Sequence, residues 1–221
     1  MGEYLNREYG FNVLGIRLTG HATRPEDMIR SRYIDWQASV EDGFHLLSGA
    51  AKSIFLCGLS MGGILSLYSA SHLPVKGVVA MSTPYKLPDD PRLKYIRLFS
   101  MVQKYMPKDE EEGTGWFGDT WKDYHKAYRQ SPVRSIGELN LLLGEMRAAL
   151  PEVKIPVLLI HSRNDDYVIK DSMDRIYADL GTLDKTMLWV EGAGHVMTEE
   201  PIREQVFKAA ADFITRVEGF A

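Results

Sequence analysis

The most informative segment of the sequence is Ser53-Ile54-Phe55-Leu56-Cys57-Gly58-Leu59-Ser60-Met61-Gly62-Gly63-Ile64-Leu65-Ser66-Leu67-Tyr68-Ser69-Ala70. An apolar run of strand length meets a serine between glycines, and a helix-forming segment follows at once. In this context G-x-S-x-G predicts a nucleophile elbow, which holds Ser60 exposed above a sheet. The turn is tight, so we expect Gly58 and Gly62 to meet its need for minimal side chains, with Gly63 adding room. The alternative is a glycine-rich turn with an ordinary serine.

Composition indicates one globular domain, residues 1–221. Apolar residues make up 45% of the 221 and charged residues 25%, as in soluble proteins. The formal net charge is −4 and no basic stripe is present, which argues against a nucleic-acid partner.

The cysteine and the chain start exclude further classes. A lone Cys57 excludes an internal disulfide framework and a multi-cysteine zinc site, and we expect it to be a small buried hydrophobe. No run is long and apolar enough to span a membrane, so no stable membrane insertion is expected. The first residues lack a signal-peptide layout, and the expected location is cytoplasmic.

Helices and strands alternate in the first 82 residues. The pattern predicts a helix over 1–10, a strand over Asn12–Leu18, a helix from Tyr33 to about Gly49, the elbow strand and helix, and a strand over Gly77–Ser82. Alternation of this kind predicts an α/β fold with a mostly parallel sheet flanked by helices.

Residues 84–136 break this pattern. Pro84, Pro88, Pro91 and Pro107 interrupt the segment, no strand signal is present, and aromatic residues are dense: Tyr95, Phe99, Tyr105, Trp116, Phe117, Trp121, Tyr124 and Tyr128. We interpret it as a small helical cap inserted into the domain. The aromatics could equally fill a small core of the cap itself.

The regular pattern then resumes. It predicts a helix over Gly137–Leu150, a strand over Pro156–His161, a helix capped by Asp171, a strand over Thr186–Val190 and a last helix over about Glu199–Val217. Ser60, Asp165 and His195 therefore all follow strands, whose carboxyl ends share one edge of a parallel sheet.

Ser60, His195 and Asp165 form a candidate catalytic triad. A serine needs an imidazole to take its proton, and the imidazole needs a carboxylate to fix its tautomer. Gly192 and Gly194 would let the histidine loop bend over the serine. Asp166 and Asp171 follow the same strand as Asp165, so the acid remains open on this ground alone.

The remaining polar candidates have simpler explanations. Asp171 is explained as a helix cap, and Asp166 is expected to face water. His161 and His21 are expected to be structural or solvent-facing.

The chain resembles the bacterial carboxylesterase and monoacylglycerol lipase family of α/β-hydrolases. Three motif blocks carry the resemblance: Gly58-Leu59-Ser60-Met61-Gly62-Gly63, Asp165-Asp166-Tyr167-Val168 and Gly194-His195-Val196-Met197-Thr198. The family's D-x-x-V pattern selects Asp165 as the acid, and Gly20-His21 resembles its G-H-G loop with Ala22 in place of the second glycine. The likeness extends over the whole chain, including the short cap.

The resemblance implies an α/β-hydrolase fold and a serine hydrolase that cleaves carboxylic esters of apolar acids, monoacylglycerols among them. Ser60 is then the nucleophile, His195 the base and later the acid, and Asp165 the residue that orients it. No metal or organic cofactor is implied. Thioester or carbon–carbon bond hydrolysis and non-catalytic ligand binding are the alternatives; acyl length, physiological alcohol and oligomeric state stay open.

One departure concerns the oxyanion hole. The family begins with a strand and an H-G-F/G loop that supplies one oxyanion donor, and Met1 falls where the helix after that loop should start. Only the Met61 N–H then remains as a donor. We expect either that the true N-terminus precedes this sequence or that activity is weak or absent, and the intact triad favours the first.

Overall fold

The computed structural model describes residues 1–107, 117, 125 and 127–219. In chain order its helices and strands are α1 (Gly2–Tyr9), α2 (Pro25–Arg30), α3 (Tyr33–Ser48), β1 (Phe55–Leu59), α4 (Met61–Ser69), β2 (Gly77–Met81), α5 (Ile96–Val102), β3 (Tyr105–Pro107), β4 (Gln130–Pro132), α6 (Val133–Ala149), β5 (Val157–Ser162), α7 (Ser172–Asp179), β6 (Lys185–Val190) and α8 (Arg203–Glu218). No helix of these ranges is long and apolar enough to cross a membrane.

A parallel sheet of four strands, in the order β1-β2-β5-β6, positions the site. β1 and β6 are its edges in the described part of the chain. Because every strand runs the same way, the residues after them meet at one edge. The predicted α/β class and parallel sheet are confirmed.

Alternating side chains of the central strands pack into two apolar layers, one on each face of the sheet. On β2, Val78 and Ala80 pack with α3, α4 and α6 on one face. Val79 and Met81 pack with α8 on the other face. This two-residue period follows from strand geometry, and it explains why β2 and β5 read as unbroken apolar runs: both of their faces are buried.

The turn between β1 and α4 places Ser60. Its backbone takes φ 53° and ψ −117°, which a residue with a side chain rarely adopts. A Cβ at Gly58 would lie 2.1 Å from the Gly62 carbonyl group, and one at Gly63 would lie 1.9 Å from Thr83 Oγ1. Glycine is therefore required at Gly58 and Gly63. The same expectation for Gly62 is wrong, because a Cβ there would meet nothing within 4 Å.

The predicted strand over Asn12–Leu18 is wrong, since this stretch is not part of a sheet. β1 is paired with β2 alone among the described strands, so the stretch has no ladder partner there. Ile16 instead lies over α3, where its Cδ1 is 2.6 Å from the position of a Cβ at Gly43. An apolar pattern can suggest a strand, but only a neighbouring strand can supply the hydrogen bonds.

Cys57 is exposed, so the expectation of a small buried hydrophobe is also wrong. It lies in the middle of β1, at the edge of the described sheet. Its neighbours Leu56 and Gly58 are buried. The apolar run around Cys57 does not reveal that the strand lies at an edge.

Residues 84–136 contain the antiparallel pair β3–β4, with Tyr105 opposite Pro132. The expectation that this segment has no strand is therefore wrong. Each strand has three residues, too few for a period-two pattern to be recognised in the sequence. Trp116, Trp121 and Tyr124, which entered the cap prediction, lie outside the described residues.

Some helix ends follow the sequence signals, but α6 begins at Val133 rather than Gly137 and α8 begins at Arg203 rather than about Glu199. Gly10 ends α1 in the left-handed conformation at φ 69°, as its position after the helix predicts. Asp171 occupies the N-cap position of α7, but its side chain makes no capping hydrogen bond and lies 3.7 Å from the Arg175 guanidinium.

We predict that Gly58→Ala destabilises the protein and that Gly62→Ala, its matched control four residues away, does not. The added methyl at Gly58 meets backbone, and overpacking of this kind costs about 1–3 kcal/mol or more. At Gly62 it meets open space within a helix, where alanine is favoured over glycine by roughly 0.5–1 kcal/mol. Urea unfolding monitored by circular dichroism measures both. Equal stability of the two variants would contradict the close backbone approach at the elbow.

Candidate active site

The three predicted triad residues come together at the carboxyl edge of the sheet. Ser60 follows β1, Asp165 follows β5 and His195 follows β6. His195 Nε2 lies 2.9 Å from Ser60 Oγ, and His195 Nδ1 lies 3.0 Å from Asp165 Oδ2. These distances form a continuous hydrogen-bond chain from the hydroxyl to the carboxylate.

The carboxylate fixes the proton positions in this chain. An ionised Asp165 can only accept, so His195 Nδ1 carries the hydrogen and Nε2 is left to accept from Ser60. Burial alone would raise the pKa of Asp165. Hydrogen bonds from His161, His195 and the backbone outweigh it and hold the pKa below its usual range. The carboxylate therefore stays charged wherever the histidine is able to act as a base.

The loop that carries His195 is held from beneath by two serines. Ser82 Oγ donates to the His195 carbonyl at 2.8 Å, and Ser162 Oγ donates to the Ala193 carbonyl. Ser82 is fully buried at the end of β2 and takes φ 44°. Ser82 follows β2 and Ser162 ends β5. These two central strands therefore fix the position of the His195 imidazole relative to the sheet.

Glycine and glutamate complete the support of this loop. Gly192 takes φ 81°, as the predicted bend requires, and its N–H donates to Asn164 Oδ1 at 3.0 Å. The Gly194 N–H donates to the buried Glu200 carboxylate at 2.9 Å.

Several residues around the triad were missed by the sequence interpretation. His161 is buried and contacts Asp165, so of its two expected roles the structural one holds, and this role is more specific than expected. The Tyr167 ring centroid lies 4.8 Å from that of His195, and this tyrosine is 62% exposed. The only sequence signal for His161 or Tyr167 was that it lies close to Asp165 in the chain. Ser82 gave no signal beyond following a strand.

The remaining polar candidates are His21 and Asp166. His21 has its Nδ1 3.3 Å from the Thr19 carbonyl, and burial lowers its pKa despite this contact. Asp166 is exposed. Among the described residues no group of three or more His, Cys, Asp or Glu could hold a metal ion.

A pocket of about 540 Å³ lies between residues 86–93 and α6, and none of the triad residues lines it. Its charged lining residues have partners: Lys86 pairs with Asp89, Asp90 pairs with Arg92, and Arg147 donates to the Tyr85 carbonyl at 2.8 Å. The pocket is therefore separate from the triad chemistry.

Sequence comparison identifies the family of the chain. The model of the alpha/beta hydrolase family matches residues 3–206. The chain belongs to this family. The predicted family and fold are thereby confirmed.

Named relatives of this α/β-hydrolase are ester-cleaving enzymes. It is 28% identical over 219 residues to a carboxylesterase of Bacillus subtilis (strain 168), covering 99% of this chain and 86% of the relative. It is 29% identical over 212 residues to a thermostable monoacylglycerol lipase of Bacillus sp. (strain H-257), covering 95% and 82%.

A solved structure from work on LipS and LipT, two metagenome-derived lipolytic enzymes, superposes with a TM-score of 0.82 at 29% identity. That match covers 90% of this chain and 80% of the other. A monoacylglycerol lipase of Paleococcus ferrophilus, at 18% identity and a TM-score of 0.72, shares the fold, with 85% of this chain and 76% of the other covered.

We predict that Asp165→Asn lowers kcat by about 10³–10⁴-fold, because an amide favours the wrong imidazole tautomer and cannot stabilise its charged form. Asp166→Asn is the matched control one residue away, and we expect it to change kcat by less than about 3-fold because Asp165 makes the bond to His195. Steady-state kinetics on one ester measures both. Similar losses in the two variants, or a larger loss at Asp166, would show that the acid is misassigned.

Proposed function

We propose that this α/β-hydrolase cleaves carboxylic esters of apolar acids through an acyl-enzyme intermediate on Ser60. The observation that carries the proposal is the unbroken hydrogen-bond chain from Ser60 through His195 to Asp165. The carboxylesterase and monoacylglycerol lipase names of the relatives support the substrate class.

The geometry suits two successive acyl transfers. Ser60 Oγ attacks the ester carbonyl as His195 Nε2 takes its proton, and the imidazolium then protonates the departing alcohol. A water molecule next attacks the acyl-enzyme, with His195 again as the base, and releases the acid and the free serine. Asp165 stays ionised throughout and stabilises each imidazolium.

The developing oxyanion needs hydrogen-bond donors, and we assign one to the Met61 N–H. Met61 opens α4, where backbone N–H groups have no partner within the helix. The Gly63 and Ile64 N–H groups are already bonded to the Ser60 carbonyl, at 2.9 and 3.1 Å. Removal of one oxyanion donor from an acyl-transfer site lowers the rate by about 10²–10³-fold.

We also propose that residues 84–136 form a cap over this edge within a single domain of residues 1–221. The support is a set of contacts from the segment to both sides of the site. Tyr128 Oη donates to the Gly20 carbonyl at 2.9 Å. On the other side the Phe117 N–H donates to Glu200 at 2.8 Å, and Glu200 also holds the Gly194 N–H.

An apolar substrate chain would then run between the cap and the triad. Tyr167 presents an exposed ring beside His195, and the exposed Phe117 reaches the same loop from the cap. Each methylene buried against such a wall strengthens binding by about 0.8 kcal/mol. This term gives specificity for the acyl part of the ester.

A series of p-nitrophenyl esters of increasing acyl length tests the proposal. We predict that kcat/KM rises with length until the pocket is filled and then falls, and that Phe117→Ala or Tyr167→Ala flattens the rise. Tyr4→Ala is the control, since the Tyr4 ring packs at a tilt against Phe207 of α8, 5.6 Å between ring centroids. A flat profile in the wild type, or one that neither substitution changes, would contradict an acyl site under the cap.

Parallel assays separate the alternative chemistries. Acyl thioesters and 1,3-diketones are offered at the same concentrations, with Ser60→Ala as the blank. Faster turnover of either class than of every ester would overturn the ester assignment. Binding of apolar ligands without any turnover would overturn the catalytic one.

A further inference from the structure

Asp165 has a second histidine partner. His161, in β5, places its Nε2 3.1 Å from Asp165 Oδ2. That oxygen is the same one that accepts from His195 Nδ1 at 3.0 Å. The two imidazoles therefore approach one carboxylate oxygen from different sides.

The other carboxylate oxygen is held by the backbone. Asp165 Oδ1 accepts from the N–H groups of Tyr167 at 2.9 Å and Val168 at 3.1 Å. Each carboxylate oxygen offers two lone pairs, so these four donors fill the acceptor capacity of the group. The Asp165 side chain is 0% exposed, so bulk water cannot replace a donor that is lost.

His161 is itself fixed by the sheet. It pairs in register with Trp189 of β6, and the two ring centroids lie 5.7 Å apart. The residue is 3% exposed. Since an ionised carboxylate only accepts, Nε2 of His161 carries the hydrogen of the shared contact.

We propose that His161 is a positioning residue for ester hydrolysis: it holds Oδ2 of Asp165 where His195 needs it and acts on the reaction through Asp165 alone. Without this donor one lone pair of Oδ2 is left buried and unsatisfied. The carboxylate then turns to find another partner, and the bond that orients His195 is weakened. This role rests on the proposed function, because the orientation of His195 matters only if His195 is the base.

The effect should fall on chemistry and spare substrate binding. We expect His161→Leu, which keeps the bulk and removes the donor, to lower kcat about 10-fold with KM within about 2-fold, since only a transition-state interaction is lost. His161→Gln restores an N–H donor and should recover kcat to within about 3-fold of the wild type. Trp189→Phe is the control, because it alters packing on the His161 ring without removing the donor.

A double-mutant cycle shows whether the effect passes through Asp165. In the Asp165→Asn background we expect His161→Leu to change kcat by less than 2-fold. His195 has already lost its orienting carboxylate there, so removing the His161 donor has no further effect on it. An undiminished 10-fold loss in that background would overturn the proposal. So would a Gln variant as slow as the Leu variant, or a loss that appears in KM.

A replacement variant and an NMR measurement complete the test. If His161→Leu does not fold, as judged by circular dichroism, His161→Asn takes its place: it is polar but too short to reach Oδ2, and it should be as slow as predicted for Leu. The low-field proton NMR signal of His195 Nδ1–H reports the contact without turnover, and it should broaden in the Leu or Asn variant and persist in the Gln variant.

The kinetic and NMR measurements distinguish failure of the His161 role from failure of the proposed function. An unchanged NMR signal in the Leu or Asn variant would overturn the role of His161 whether or not esters are cleaved. Absence of wild-type ester turnover with the expected NMR changes would overturn the proposed function and leave the His161–Asp165–His195 contact established.

Discussion

The backbone of Ser60 is the constraint on which the site depends. A non-glycine residue at φ 53° is strained by about 1–3 kcal/mol, and such strain persists only where the surroundings fix it. Two features fix it here: the Ser60 N–H donates to the Met81 carbonyl at 2.8 Å, and the chain at Gly58 passes so close to Gly62 that no side chain fits between them. The result is a hydroxyl held above the sheet and within reach of His195.

A buried charge is the second constraint, and it explains the density of hydrogen bonds around it. Burying the Asp165 carboxylate without partners would cost several kcal/mol. Four donors compensate for that burial. The same donors prevent the carboxylate from rotating, so the group that stabilises an imidazolium is also rigid. Ser82 and Ser162 likewise fix the loop that carries His195, because their hydroxyl groups donate to its carbonyl groups.

The sequence was sufficient where a local pattern determines a local structure. The glycines around Ser60 and the residues that follow each strand predicted the elbow, the parallel sheet and the meeting of Ser60, Asp165 and His195. It failed where the outcome depends on a neighbour distant in the chain. The stretch Asn12–Leu18 is strand-like in pattern but pairs with no strand in the described part of the chain. The residues of a strand such as β1 do not indicate whether it lies at the centre or at the edge of a sheet.

Supporting contacts are hard to predict for the same reason. His161 reads as one more residue of an apolar strand, and its partner Asp165 lies beyond a turn whose geometry the sequence does not reveal. Ser82 supports a residue 113 positions away. Such contacts depend on distances of about 3 Å, which patterns of residue type do not specify.

Covalent labelling shows whether Ser60 is an activated nucleophile. The protein is incubated with a fluorophosphonate ester, digested, and the modified peptide is mapped by mass spectrometry. We expect one adduct, on Ser60, formed far more slowly in His195→Ala and absent in Ser60→Ala. An adduct on another residue, or a wild type that stays unlabelled while correctly folded, would contradict this expectation.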